Sequence, residues 1–198
     1  MLKEIRPAIV FVVALTIITG LIYPFVMTGL AQVLIPWRAN GSLVTDEKGQ
    51  VVGSELIAQG FSNPAYFQPR PSAAGEKGYD AANSSGSNLG PTSKKLRDRI
   101  TEDLKRLQEE NPDATAPVPA ELVTTSGSGL DPDLSPKGML WHVPRVAKAR
   151  GVSAERVKAV VDANVEGSTF GILGEPRVNV LLVNLALDRQ FGHPQGLR

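Results

Sequence analysis

Residues 7–37 read PAIVFVVALTIITGLIYPFVMTGLAQVLIPW and contain no charged side chain. A helix of about 20 apolar residues crosses a bilayer's hydrocarbon core, and this run is longer. Lipid offers backbone amides no water, so the segment is expected to be one α-helix with its hydrogen bonds closed internally. The chain then divides into a short N-terminus (1–6), a transmembrane helix (7–36) and a soluble part (37–198). No later stretch matches the run in length and apolarity. A cleaved secretory signal is the alternative, because Gly29-Leu30-Ala31 is small at the right places. The apolar region of a signal is only about 7–15 residues, which favours a retained anchor.

Lys3 and Arg6 flank the run on one side, Arg38 and Lys48 on the other. The positive-inside rule places the N-terminus in the cytoplasm, and a long C-terminal part crosses largely regardless of its charge. The soluble part is therefore expected outside the cytoplasm, with Trp37 in the outer interfacial belt. Thr16, Gly20, Pro24 and Thr28 recur every four residues and share one helix face. Small residues on one face admit a neighbouring helix, and Pro24 is expected to kink the rod.

The 198 residues hold 21 Lys+Arg against 20 Asp+Glu, a net charge of +1. That balance leaves no electrostatic footprint for nucleic acid. The absence of cysteine excludes disulfides and thiol nucleophiles.

Past the anchor, 42–45 and 50–57 are two β-prone runs around a turn ending in Gly49, the pattern of a hairpin. Residues 61–91 show no period and form a long loop rich in Gly, Ser, Asn and Pro. Tyr66, Phe67, Tyr79 and Leu89 suggest that it is packed. From Thr92 to Glu110, Leu96, Ile100, Leu104 and Leu107 make the apolar stripe of a helix, with Thr92 or Ser93 as cap, Glu102–Arg106 as a favourable pair and Asn111-Pro112 as its stop. The Pro-rich 111–121 should stay extended. Leu122–Thr124 reads as a short strand. Ser135 caps a helix running toward Arg150, which Pro144 should break and Gly151 end. Ser153 caps the next helix, with Val152 and Val157 as staple, Val157, Val160 and Val161 as its buried face and Gly167 closing it. Arg177–Leu187, RVNVLLVNLAL, reads as a strand buried on both faces, with a helix in its latter part as the alternative. The fold class is one N-terminal transmembrane α-helix followed by a mixed α/β extracytoplasmic domain.

Catalytic patterns fail one after another. No phosphate loop occurs, and no G-x-S-x-G elbow, since Ser128 lies directly between Gly127 and Gly129. His142 and His193 are the only histidines and lie far apart in sequence. Thr92 or Ser93 with Lys95 would serve as a hydroxyl–amine dyad of an anchored envelope enzyme. A capped, solvated helix start is the plainer reading. Four loops remain: 70–73, 84–91, 125–132 and 174–179. Each is dense in turn formers and in side chains that bond local backbone. Their spread along the chain favours mutual ordering, with Arg70, Asp131, Glu175 and Arg177 as candidate buried ion-pair members.

These loops and the anchor carry a resemblance. Thr19-Gly-Leu-Ile-Tyr-Pro24, Ala39-Asn-Gly-Ser42, Tyr66-Phe67 ahead of Arg70-Pro-Ser-Ala73, and Gly86-Ser-Asn-Leu-Gly-Pro91 come first. Ser126-Gly-Ser-Gly-Leu-Asp-Pro132, Arg145-Val-Ala-Lys-Ala-Arg-Gly151 and Gly174-Glu-Pro-Arg-Val-Asn-Val180 follow. In this order, over nearly the whole chain, they resemble the KdpC family, the small subunit of the bacterial high-affinity potassium-pumping ATPase. His142 stands where that family is expected to carry Gln and is assigned no role.

The resemblance implies a single-pass protein of the bacterial inner membrane; that its soluble domain is expected to be periplasmic follows from the charges flanking the helix. The resemblance itself implies a bilayer and three protein partners: a potassium-channel-like subunit, a P-type ATPase subunit and a small membrane peptide. The D-K-T-G phosphorylation motif of P-type pumps is absent here, so hydrolysis is expected of a partner. The resemblance also implies a catalytic chaperone that raises the ATPase subunit's affinity for ATP, with ATP met through a ternary complex. The Ser126-Gly-Ser-Gly-Leu loop is the nearest match to an ABC-type nucleotide signature. ATP is cytoplasmic and the domain is expected outside, so assembly is favoured over a true ATP site. Expected contact or structural residues are Arg70, Ser72, Ser87, Asn88, Gly90, Ser126, Gly127, Ser128, Gly129, Asp131, Arg145, Glu175, Arg177 and Asn179.

Overall fold

Apolar side chains and internally closed hydrogen bonds make one long helix of the N-terminal segment. In the computed structural model, which describes residues 2–46 and 48–194, a 3-10 turn (Leu2–Glu4) leads into α1 (Ile5–Ile17), a π turn (Ile18–Ile22) and α2 (Tyr23–Leu34). Ile5–Leu34 is a continuous helix of 30 residues without one buried residue. At about 1.5 Å of rise per residue it is long enough to cross a bilayer.

The helix is less uniform than expected. Pro24 has no N–H to donate, and its ring crowds the carbonyl four residues back. The π turn lies just ahead of it, where the Tyr23 N–H donates to the Ile18 carbonyl, five residues back. Thr19 Oγ1 donates to the Leu15 carbonyl at 2.7 Å, a further bond that keeps backbone oxygen satisfied. A widened turn of this kind lets a helix pass an interruption without leaving polar groups bare. The helix stops at Leu34, two residues short of the boundary read from apolarity. Ile35 sits at φ −140°, as the following proline demands, and α3 (Pro36–Ala39) is a single turn. The Trp37 indole donates to the Leu43 carbonyl at 3.1 Å.

The expected hairpin is present as β1 (Leu43–Thr45) and β2 (Val51–Ser54). Its turn is held by Asp46 Oδ1, which accepts from the Lys48 and Gln50 amides. The chain divides after Leu43 into two units. In the second unit the segment between Ser54 and Lys94 has neither helix nor strand. It is nevertheless fastened, with Ala58, Ala65, Phe67 and Ala74 all buried.

α4 (Lys94–Glu110) starts at Ser93, whose hydroxyl accepts from the Leu96 amide. Leu107 is buried and Ile100 and Leu104 pack on the core, so the expected stripe faces inward. Arg106 pairs with Asp103 and Glu110, not with Glu102. Two short strands, β3 (Asp133–Leu134) and β4 (Val178–Asn179), run antiparallel with Leu134 opposite Val178. Between them lie α5 (Pro136–Arg150) and α6 (Ala154–Ala163), and α7 (Val180–Phe191) follows β4. Ser135 and Ser153 cap α5 and α6, and Gly151 ends α5 in the left-handed region at φ +65°. The core joins Phe67, Leu134, Met139, Val146, Val157, Val161, Val178, Val183 and Leu187.

Four elements differ from expectation. Arg177–Leu187 is not a strand: only Val178–Asn179 is, and the rest is α7. Asn179 decides this locally, since its side chain accepts from the Leu182 amide and caps the helix. Buried Val180, Val183, Asn184 and Leu187 then follow the helical i, i+3, i+4, i+7 spacing. Leu122–Thr124 is no strand either; Ala120–Leu122 is a 3-10 turn. Pro144 lies inside an unbroken α5, tolerated because flanking side chains Met139, Val143, Val146 and Ala147 are locked in the core. α6 ends at Ala163 with Asn164 as its cap, ahead of Gly167.

Candidate functional site

The loop at 126–131 is the hub of the second unit's polar structure. Arg70 reaches it from the long loop, pairing with Asp131 at 3.1 Å and donating to the carbonyls of Thr124 and Thr125. Ser72 Oγ donates to the Gly129 carbonyl at 2.6 Å and accepts from the Ala74 and Tyr79 amides. The Ser85 amide and the Ser84 hydroxyl both donate to the Ser128 carbonyl. Ser128 Oγ accepts from the Leu130 amide and lies 3.4 Å from Ser126 Oγ. Gly129 has φ +68°, and a Cβ there would stand 2.4 Å from the Ser85 carbonyl, so only glycine fits. Gly86 abuts Gly127 in the same way, its notional Cβ 3.0 Å from the Gly127 carbonyl. The loops at 70–74, 84–86 and 126–131 are thus bonded to or packed against one another.

Other expected residues lie elsewhere. Ser87 and Asn88 belong to an open stretch with Asn88 at φ +50°, and the Gly90 carbonyl accepts from Ser93 at the start of α4. Asn179 caps α7 and donates to the Glu55 carbonyl at 2.7 Å. Arg177 pairs with Glu166 at 2.8 Å and Asp133 at 3.2 Å. Glu175 is exposed and joins neither pair, which corrects its expected place among buried ions. The Arg70 and Arg177 pairs are themselves only partly buried. Burial raises the Asp133 carboxyl's pKa, against the pull of Arg177.

The ion pair with the most buried side chains among the described residues was not singled out. The Arg150 side chain is 2% exposed and bonds Asp188 at 2.8 Å, the Ala65 carbonyl at 2.7 Å and the Gly192 carbonyl at 3.0 Å. Its guanidinium also covers the Tyr66 ring at 5.0 Å. Tyr66 donates its hydroxyl to Asp188 at 2.8 Å, and burial, helped by that bond, pushes the phenol up to about 12. Arg145 holds the same loop from below, donating to the Pro64 carbonyl at 2.7 Å and the Tyr66 carbonyl at 3.0 Å. Burial lowers its pKa to about 10, which leaves it charged at neutral pH.

His142 stands beside a cavity of about 370 Å³ whose wall includes Phe61, Lys77, Tyr79 and Arg106. Its ring meets Phe67 and Trp141 edge-on. Nδ1 lies 3.3 Å from Arg145 Nη2. A guanidinium only donates, so Nδ1 accepts and the proton resides on Nε2, which has no partner among the described residues. Burial, reinforced by Arg145, lowers the ring's pKa from 6.5 to about 3.

The pH consequence is testable. Below pH 6.5 the unfolded chain takes up a proton that the native site refuses. Stability is whole above that pH and falls as pH drops toward 3. The slope is about 1.4 kcal/mol per pH unit, hence about 2 kcal/mol at pH 5. His142→Gln should lose this share of the acid sensitivity, read as a smaller melting-temperature drop between pH 7 and pH 5. An unchanged drop would contradict the assignment.

Ser93 Oγ is engaged as the α4 cap, Thr92 and Lys95 are exposed, and among the described residues no hydrogen bond links Lys95 to either hydroxyl. Nor does any group of three His, Cys, Asp or Glu side chains converge on a metal position among the described residues.

Comparison with known proteins agrees over nearly the full length. A family model described as "KdpC: K+-transporting ATPase, c chain" matches residues 5–189. A Myxococcus xanthus protein named potassium-transporting ATPase KdpC subunit is 68% identical over 176 residues, covering 89% of this chain and 83% of that protein. Proteins of the same name from Rhodopseudomonas palustris and Methylobacterium nodulans are 57% and 54% identical, over 95% and 97% of this chain and 98% and 100% of theirs.

Proposed function

Because the chain belongs to the KdpC family and is thereby a subunit of a potassium-transporting ATPase, we propose that it is the complex's accessory subunit: it assembles and stabilises its companions and leaves hydrolysis to one of them. Those companions are a channel-like potassium subunit, a P-type ATPase subunit and a small membrane peptide. The helix lies in the inner membrane with its N-terminus cytoplasmic, and the domain is periplasmic. Any gain in the ATPase subunit's affinity for ATP is then transmitted through the helices, without an ATP site in this chain.

One observation carries the reading: a 30-residue apolar helix with no buried residue that also bears a row of small residues. In a regular α-helix, four residues turn past a full circle, so an i, i+4 row drifts by about 40° per step. The wider π turn at 18–22 rotates less per residue and removes part of that drift. Thr16, Gly20, Pro24 and Thr28 thus stand nearer one line. A Cβ at Gly20 would meet only Thr16 Cγ2, at 3.9 Å. The domain adds support, because Arg70 and Ser72 direct their polar groups to a neighbouring loop and Ser128 Oγ is engaged within its own.

Gly20→Leu tests this. The chain's own helix has room for the side chain, so lost assembly would report on a partner helix. Recovery of this chain in complex purified through another subunit should fall several-fold, with unchanged amounts in the membrane. Full recovery would remove the packing face.

A further inference from the structure

The segment joining α6 to β4 is a small closed hairpin. Glu166 and Arg177 exchange backbone hydrogen bonds at 2.8 and 2.9 Å, and Thr169 and Leu173 at 2.8 and 3.0 Å. Ser168 Oγ ties the turn to the Gly174 carbonyl at 2.6 Å. Its tip holds three apolar side chains in water: Phe170 is 88% exposed, Ile172 82% and Leu173 58%. Phe170 also sits at φ +56°, a conformation unfavourable for a bulky residue. Solubility and turn formation are both better served by a small polar residue or glycine there. A rigid turn that displays an aromatic and two aliphatic side chains has the form of a preorganised binding anchor.

We propose that the Phe170–Leu173 tip seats in an apolar, basic-rimmed pocket of a companion subunit. This rests on the assembly role above. Two observations favour a protein pocket over the bilayer. The first is charge. Glu166, Glu175 and Asp133 surround the base of the hairpin, and Arg177 is already paired with two of them. Segments that lie in a membrane surface carry Lys and Arg beside their apolar face. An acidic collar is instead complementary to cationic side chains around a pocket.

The second is the backbone. Among the described residues, the Phe170 N–H and the carbonyls of Phe170, Gly171 and Ile172 meet no internal hydrogen-bond partner. Hydrocarbon would leave these groups bare, whereas a protein rim supplies donors and acceptors.

The chain has no cysteine, so Phe170→Cys and, separately, Leu173→Cys each introduce a single thiol; the second keeps Phe170 in place. A water-soluble maleimide reads their accessibility in three states of the full chain. These are the isolated chain in detergent, the isolated chain in phosphatidylcholine vesicles, and the complex purified through another subunit. Both thiols should react equally fast in the two isolated states and at least about tenfold slower in the complex, as at the dry centre of an interface. Reaction at the free rate in the complex overturns the anchor. Protection in vesicles without companions also overturns it and makes lipid the occupant. A chain that fails to co-purify at all, even unsubstituted, defeats the assembly role instead.

Discussion

Arg150→Ala is expected to destabilise the domain by about 3–5 kcal/mol, the range for removing one partner of a buried ion pair. Asp188 would remain buried with a charge that only the Tyr66 hydroxyl and His193 answer. The Ala65 and Gly192 carbonyls would lose their donor as well. For a domain of this size each kcal/mol moves the melting temperature by about 2–4 °C, so a drop of roughly 6–20 °C is expected in a thermal melt. The double variant Arg150→Met/Asp188→Leu should recover only the part due to the orphaned Asp188 charge, because the Ala65 and Gly192 carbonyls still lack their donor and the Tyr66 hydroxyl loses its acceptor. A single variant that melts within a degree or two of the parent would show that the pair does not tie the long loop to α5 and α7.

Asn184→Leu should cost nearly as much. The Asn184 amide accepts from the Phe67 N–H at 2.8 Å and donates to the Phe67 carbonyl at 3.0 Å. It takes the place of a neighbouring strand for a loop that has none. Leucine fills similar space but leaves two buried backbone groups without partners, at about 1–3 kcal/mol each. The expected loss is about 2–6 kcal/mol, read as a lower urea midpoint at unchanged slope. Phe67 is wholly buried, so water has no route to relieve the loss. An unchanged midpoint would mean that the loop is held by packing alone.

Both predictions rest on contacts that pattern reading does not reach. Asn184 lies 117 residues from Phe67, and Arg150 lies 85 from Ala65. Nothing local distinguishes Arg150 from the exposed Arg156 nearby. Features governed by neighbours were legible: the uncharged run at 7–37, the caps Ser93 and Ser153, the left-handed Gly151 and the stripe on α4. The turn-rich loops were legible as dense in groups that bond local backbone, though not which serine meets which carbonyl. α7 was read first as a strand, with the helix that is found only as the alternative, because an apolar run shows no period until one knows that Asn179 caps it. The π turn followed from Pro24 in principle, yet composition alone does not say whether a helix kinks, breaks or widens there. Phe170 was passed over because a single aromatic in a Gly-rich turn reads as packed until its exposure is seen.

In a working subunit the apolar helix remains part of the chain, among other membrane helices. Intact mass spectrometry of this chain, recovered from membranes in complex purified through another subunit, tests that directly. A species at the full 21.1 kDa, extracted only by detergent and accompanied by its companions, is the expected result. A shorter species trimmed near Ala31, released without detergent and recovered alone, would contradict it.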